Sequence, residues 1–133
     1  MKRYLLDTSA LLILRDDEDG ADFIAGLMYK AQDKQCLCFA CFLSLMEILY
    51  RVWKDENELA GRLAYEECQS LPIKWVHETK NLLEVSAEIK AKNKLSVVDA
   101  WVAASAFQED AILVHKDPEF TSIECPQIEL PYK

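Results

Sequence analysis

Four acidic residues interrupt apolar stretches where an ordinary domain would place core carbon. Asp7 closes the run YLLD, Glu47 lies within FLSLMEILY, Asp99 lies within LSVVDAWVAASA, and Asp117 follows ILVHK. Taking a carboxylate out of water costs roughly several kcal/mol unless a cation neutralises it. No Lys or Arg neighbours Asp7 or Asp99 in the chain. The pattern therefore calls for a fold that gathers distant acids in one place, with a shared divalent metal as the economical counter-charge.

The rest of the sequence says what kind of fold that is. Short β-rich runs alternate with helical ones, which predicts an α/β fold with a central, mainly parallel sheet. Residues 2–7 read as a strand buried on both faces, with Thr8 or Ser9 capping a following helix that carries Leu11, Leu12 and Leu14. A second helix is expected near residues 20–33, a strand over 36–40, and a helix from about Ser44 with Leu45, Ile48, Leu49 and Val52 as its apolar stripe. Residues 55–70 alternate at helical spacing, with Leu59, Leu63 and Cys68 expected on the inner side and Pro72 ending the run. A short strand over 73–76 follows, then an amphipathic helix over 78–92 with Leu82, Val85 and Ile89 inward. A buried, alanine-rich helix over 97–107, a strand over 111–114 and a fifth strand around 127–130 complete the pattern.

A length of 133 residues supports one unit with a real core, so a single domain over residues 1–133 is expected. The five cysteines are an odd number without framework spacing, and Cys36, Cys38 and Cys41 have no second pair or close His to complete a zinc site. They read as small apolar residues on a buried strand in a reducing cytoplasm. The basic, apolar start MKRYLLDTSALLIL is broken by Asp7 and Arg15, lacks a small-residue cleavage site, and is too short to span a membrane. A net charge of −8 argues against a broadly basic nucleic-acid surface. The four interrupting acids supply half of it, however, and bound metal would offset them.

In a parallel sheet, ligand sites form at the carboxyl ends of the strands, and Asp7 and Asp117 both fall there. Asp99 lies near the start of its helix, and Glu47 has the longer reach from within its own. Considered alone, Glu47 reads equally well as a solvated helix residue. An all-oxygen donor set without His or Cys suits Mg²⁺ or Mn²⁺, and such ions suit phosphodiester hydrolysis by one or two metals.

YLLDTSALL, SLMEI, LSVVDAWVAASA and ILVHKDPEF, in this order and at these separations, resemble the four signature segments of PIN-domain nucleases, in particular the VapC-like toxins of toxin–antitoxin pairs. The resemblance covers almost the whole chain. It implies a three-layer α/β/α PIN-like domain and a Mg²⁺- or Mn²⁺-dependent endoribonuclease. Asp7, Glu47, Asp99 and Asp117 would be its catalytic metal site, with Ser9 in support. It further implies an RNA substrate, a small antitoxin partner and a homodimer. Phe23, Leu27, Trp53 and Tyr65 on otherwise charged helices are the apolar residues expected to serve such a dimer.

The chain departs from the family pattern at His115, where Thr or Ser is common, and at Trp101, where a smaller residue is usual. His115 is read as a substrate contact, a partner of Asp117, or a structural residue; Trp101 as packing; His77 as ordinary surface. Arg15, Arg51, Lys94 and Lys116 are candidate phosphate contacts, Arg51 alternatively forming an i, i+4 ion pair with Glu47. Lys90 and Lys92 read as a solvated face. A phosphoacceptor module would need adjacent acids after the first strand, where Thr8 stands, and a dehalogenase-like phosphatase would need an Asp where Ser9 stands. The alternative that survives is a PIN-like binding module with weak or no nuclease activity.

Overall fold

Arg3–Leu6 (β1) sets the architecture, because three consecutive apolar side chains on a strand that alternates sides must be covered from both. In the computed structural model, which describes residues 1–131, Tyr4 and Leu6 enter one core and Leu5 the other. The single unit expected over 1–133 also includes residues 132 and 133, which lie outside the described residues. After β1 come α1 (Thr8–Asp16), α2 (Ala21–Gln32), β2 (Leu37–Cys41), α3 (Phe42–Asp55) and α4 (Glu58–Gln69). The chain continues through β3 (Lys74–Val76), α5 (Lys80–Lys92), α6 (Val97–Gln108), β4 (Ile112–His115), a 3₁₀ turn (Pro118–Ser122) and β5 (Gln127–Glu129).

The five strands lie in the order β3-β2-β1-β4-β5, and every pairing is parallel. Leu5 registers with Phe39 on one side and Leu113 on the other, so β1 is central and its neighbours share its two-sided burial. Helices α1 to α4 cover one face and α5 and α6 the other, which gives the expected three-layer α/β/α arrangement. Cys36 and Cys38 lie in the first core and Cys41 in the second, all as free thiols, in keeping with their reading as small apolar residues. Leu82 and Ile89 of α5 are buried and Val85 packs against the same core.

Three details differ from expectation. The cap of α1 is Asp7 itself, whose carboxylate accepts from the Ser9 N–H, rather than Thr8 or Ser9. A carboxylate at a helix start satisfies an orphan N–H and meets the positive end of the helix dipole. Leu59 and Leu63 of α4 do not face inward; they are 70% and 50% exposed, and the buried face is Gly61, Ala64 and Cys68. The reason is the closeness of α3 to α4: a Cβ on Gly61 would lie 2.8 Å from the Leu49 carbonyl oxygen and 2.9 Å from Trp53. Only small residues fit that seam, so the leucines turn to solvent. Finally, Leu27 is 3% exposed and belongs to the core with Ile24 and Met28. It therefore drops out of the apolar surface set, of which Phe23 and Trp53 remain exposed and Tyr65 half-buried.

Gly61→Ala is expected to lower the unfolding free energy by about 1–2 kcal/mol. Overpacking against backbone atoms outweighs the roughly 1 kcal/mol that Ala offers in helix propensity. Leu63→Ala should stay within about 1 kcal/mol of the parent. Urea denaturation of the three proteins checks this, and a Gly61→Ala protein as stable as the parent would contradict the close seam.

Candidate functional site

Strands β1 and β4 run side by side in register, Leu6 beside Val114, and so end at the same edge of the sheet. The residues that follow them, Asp7 and the stretch from Lys116 to Asp117, are delivered to one place. The Asp7 N–H donates to the Val114 carbonyl at 3.0 Å, extending the ladder by one bond before α1 begins. Ser9 ties the two strand ends together: its hydroxyl donates to Asp7 Oδ2 at 2.7 Å and accepts the Lys116 N–H at 3.1 Å. The second oxygen of Asp7, Oδ1, is buried and has no hydrogen-bond partner among the described residues. Burial pushes the Asp7 carboxyl above the usual carboxylate range against the lowering effect of the Ser9 and Thr8 hydrogen bonds, and the nearby Glu47 adds to the rise.

Glu47 reaches the same cleft from α3. Its Oε1 lies 2.7 Å from Thr8 Oγ1, which is also 2.8 Å from Ser44 Oγ. With one hydroxyl proton, Thr8 can donate to the carboxylate while accepting from Ser44. Asp99 arrives from the first turn of α6, its N–H donating to the cap oxygen of Ser96 at 3.1 Å, and is 8% exposed. A helix start favours a carboxylate by only about 0.3–1 kcal/mol. Burial, a hydrogen bond to Glu119, and the charges of Asp7, Asp117 and Glu119 outweigh it and push Asp99 up to about 8. Asp117 caps the 3₁₀ turn, its Oδ1 accepting the Glu119 N–H at 3.0 Å.

All four acids line one cleft of about 400 Å³. Asp99, Asp117 and Glu119 each present an oxygen within 4.8 Å of the others. Among the described residues, none of these five carboxylates is ion-paired to Lys or Arg. Crowded, unpaired, all-oxygen donors beside an orphaned buried Asp7 oxygen fit a hard divalent cation such as Mg²⁺ or Mn²⁺.

Of the other residues singled out in the sequence, Ser9, Arg51 and Lys116 line this cleft. The i, i+4 ion pair between Arg51 and Glu47 does not form among the described residues, while Lys116 Nζ lies 3.1 Å from Glu18. Arg15 and Lys94 are not brought to the cleft. Arg15 turns the other way, pairing with Glu56 and Asp16, each at 2.8 Å, beside a mainly apolar hollow between α1 and α4. Lys94 is exposed outside it. His115 is fully buried, so it offers nothing to substrate; its Nδ1 instead accepts the Asp117 N–H at 3.0 Å. Trp101 packs edge-on against Phe42 with ring centroids 5.6 Å apart, and His77 is exposed, as expected.

Sequence reasoning missed Glu119, Thr8 and Ser44. Glu119 was signalled by Asp-Pro-Glu, since a Pro at the first helical position starts a turn that folds the second acid back toward the first. Ser44 was signalled by standing three residues before Glu47 on one helix face. Thr8 had no local signal, because its acceptor lies 39 residues away.

The sequence profile of the PIN domain matches residues 4–124. Comparison with curated proteins gives no significant match. Among solved structures, VapBC2 from Rickettsia felis bound to a DNA fragment from its promoter is similar with a TM-score of 0.78 at 16% identity, over 97% of this chain and 99% of that one. DNA-bound VapBC from Salmonella typhimurium gives 0.77 at 15% identity, over 97% and 98%. VapC20 of Mycobacterium tuberculosis, a toxin that cleaves the sarcin-ricin loop, gives 0.74 at 18% identity, over 96% and 99%.

The raised carboxyls fix the sign of a pH dependence. With folded values above the unfolded ones, Asp7 and Asp99 bind more protons in the native state than in the unfolded one. Their contribution is fully present below the ordinary carboxylate range and is lost as pH rises, through about 8 for Asp99. In EDTA, the unfolding free energy should therefore fall between about pH 5 and about pH 8, and Asp99→Asn should flatten that fall. Denaturant titrations across this range check it; identical slopes for parent and variant would refute it.

Proposed function

Because this chain belongs to the PIN domain family, we propose that it is a metal-dependent endoribonuclease that hydrolyses RNA phosphodiesters, serving as the toxin of a toxin–antitoxin pair. The observation that carries this reading is the convergence of carboxylates from the end of β1, from α3, from α6 and from the turn after β4 into one cleft, none of them ion-paired among the described residues. Asp7, Glu47, Asp99 and Asp117 are the catalytic metal ligands in this proposal, and Glu119 joins them. PIN domains are typically metal-dependent nucleases. When bound, Mg²⁺ or Mn²⁺ supplies stabilisation of charge on the phosphate oxygens and activation of water.

The chain's own residues prepare that chemistry. Ser9 and Thr8 hold Asp7 and Glu47 in place through short hydrogen bonds, at 2.7 Å each. Arg51 and Lys116, on the lining of the cleft, contact phosphate groups of the RNA. The solved relatives captured as toxin–antitoxin complexes support an antitoxin as the partner here too. In this proposal the protein itself is a homodimer and acts in the cytoplasm. Among the described residues no helix is long and apolar enough to cross a membrane. The proposed nuclease occupies residues 1–133 as a single PIN-like domain.

Purified protein should cleave RNA in Mg²⁺ or Mn²⁺ and not in EDTA. Asp99→Asn, which keeps the shape and removes the charge, should reduce the rate on the order of 100-fold or more. RNA binding without metal-dependent cleavage would instead support the binding-module reading.

Metal should also stabilise the fold, since an ion that binds only the native state adds about 2.7 kcal/mol at a hundredfold excess over its Kd. Asp7→Asn removes a buried, repelled charge. The metal-free variant should hold or gain stability, while its rise in melting temperature with Mg²⁺ shrinks. A full metal-induced rise in Asp7→Asn would exclude Asp7 from the metal site.

A further inference from the structure

We propose that the buried His115 and the half-buried Gln127 form a brace that holds the acidic turn Asp117–Glu119 in position, making His115 a positioning residue for the metal site; this rests on the metal-dependent reading above. His115 ends β4 and is fully buried, where both ring nitrogens need partners. Its Nδ1 lies 3.0 Å from the Asp117 backbone nitrogen, and its Nε2 lies 2.8 Å from Gln127 Oε1. A backbone N–H can only donate, so Nδ1 is the acceptor and the ring proton sits on Nε2. That proton goes to Gln127 Oε1, which orients the amide and leaves its NH₂ pointing the other way. There it donates to the carbonyls of Phe120 at 2.7 Å and Ile123 at 2.8 Å. Every donor and acceptor in the chain agrees on one tautomer and one amide orientation.

The 3₁₀ turn is thus gripped at its start by the imidazole and at its end by the amide. Between these grips, Phe120 is fully buried with its ring centroid 4.9 Å from that of His115. The turn supplies two of the three acids whose oxygens lie within 4.8 Å of one another. Glu119 is exposed, and the charges of Asp99, Asp117 and Glu119 repel, so the backbone of the turn must set where they stand. Among the described residues the brace hydrogen-bonds no carboxylate and acts through the backbone. β5 serves it by carrying Gln127, which registers with Leu113 of β4.

The test is Mn²⁺ affinity by calorimetry on the full chain, with amide hydrogen exchange at Asp117 and Glu119 in the metal-free protein. His115→Leu and Gln127→Met keep volume and remove the polar links. Each is expected to weaken Mn²⁺ binding about 10–100-fold and to speed exchange in the turn. His115→Asn, which can again offer an acceptor to the Asp117 N–H, should recover most of the affinity. Should His115→Leu fail to fold, Gln127→Met on its edge strand carries the same comparison. A folded variant with Mn²⁺ affinity within about twofold of the parent would overturn the brace alone, since the effect expected of such an outer partner is at least tenfold. Absence of Mn²⁺ binding by the parent would overturn the metal reading and the brace together.

Discussion

Mutual repulsion among carboxylates held at one edge of the sheet is the constraint around which the other features are arranged. A protein normally separates such charges or pairs them with Lys or Arg; here five line one cleft and, among the described residues, none is ion-paired to a base, Lys116 on the same lining pairing with Glu18 instead. The local hydrogen bonds counteract the crowding without neutralising it. Ser9 on Asp7, Thr8 on Glu47, Ser96 at the start of the Asp99 helix and the capped turn at Asp117 each fix a position. Stability is thereby given up locally to keep a geometry, as is common where a site is organised for a ligand absent from the free protein.

The topology explains why such a place exists at all. The chain builds outward from β1 through β2 to β3, then crosses back so that β4 and β5 lie on the other side. Connections leaving β1 and β4 therefore diverge, and the crevice between them is where open parallel sheets bind ligands. Asp7 and Asp117 stand on its two lips, 110 residues apart in numbering, and Ser9 ties Asp7 to the backbone of Lys116 beside Asp117.

Much of this was legible from the sequence, for reasons that differ by residue. Asp7, Asp99 and Asp117 stood out because burial makes an acid conspicuous against apolar neighbours, and the strand ends that carry two of them were readable from β-rich runs. Glu47 was weaker, since an acid on an amphipathic helix is commonplace until its neighbours are known. The supports were less visible because they depend on approach between distant segments, as with Thr8 and Ser44. Arg15 misled because its nearness to Asp7 in the chain does not set the direction of its side chain a full helix later. On α4 the error was one of size: side-chain hydrophobicity favours Leu59 and Leu63 inside, but the separation from α3 admits only Gly61 and Ala64 at the seam. Of the readings open for His115, its burial closes the one as a substrate contact and leaves the structural one, with the Asp117 N–H as its partner.

The cysteines have a consequence of another kind. Oxidation and thiol exchange proceed through the thiolate. Burial pushes Cys38 and Cys68 up to about 12 and raises Cys41 as well, so these sulfurs stay protonated as well as shielded. Cys125 is the one half-buried thiol, and burial raises it too. Cys36 is buried as well, so four of the five sulfhydryls are shielded in the folded form. Those four thiols are reached by oxidants chiefly in unfolded molecules, which makes their resistance to disulfide cross-linking a measure of how seldom the sheet opens.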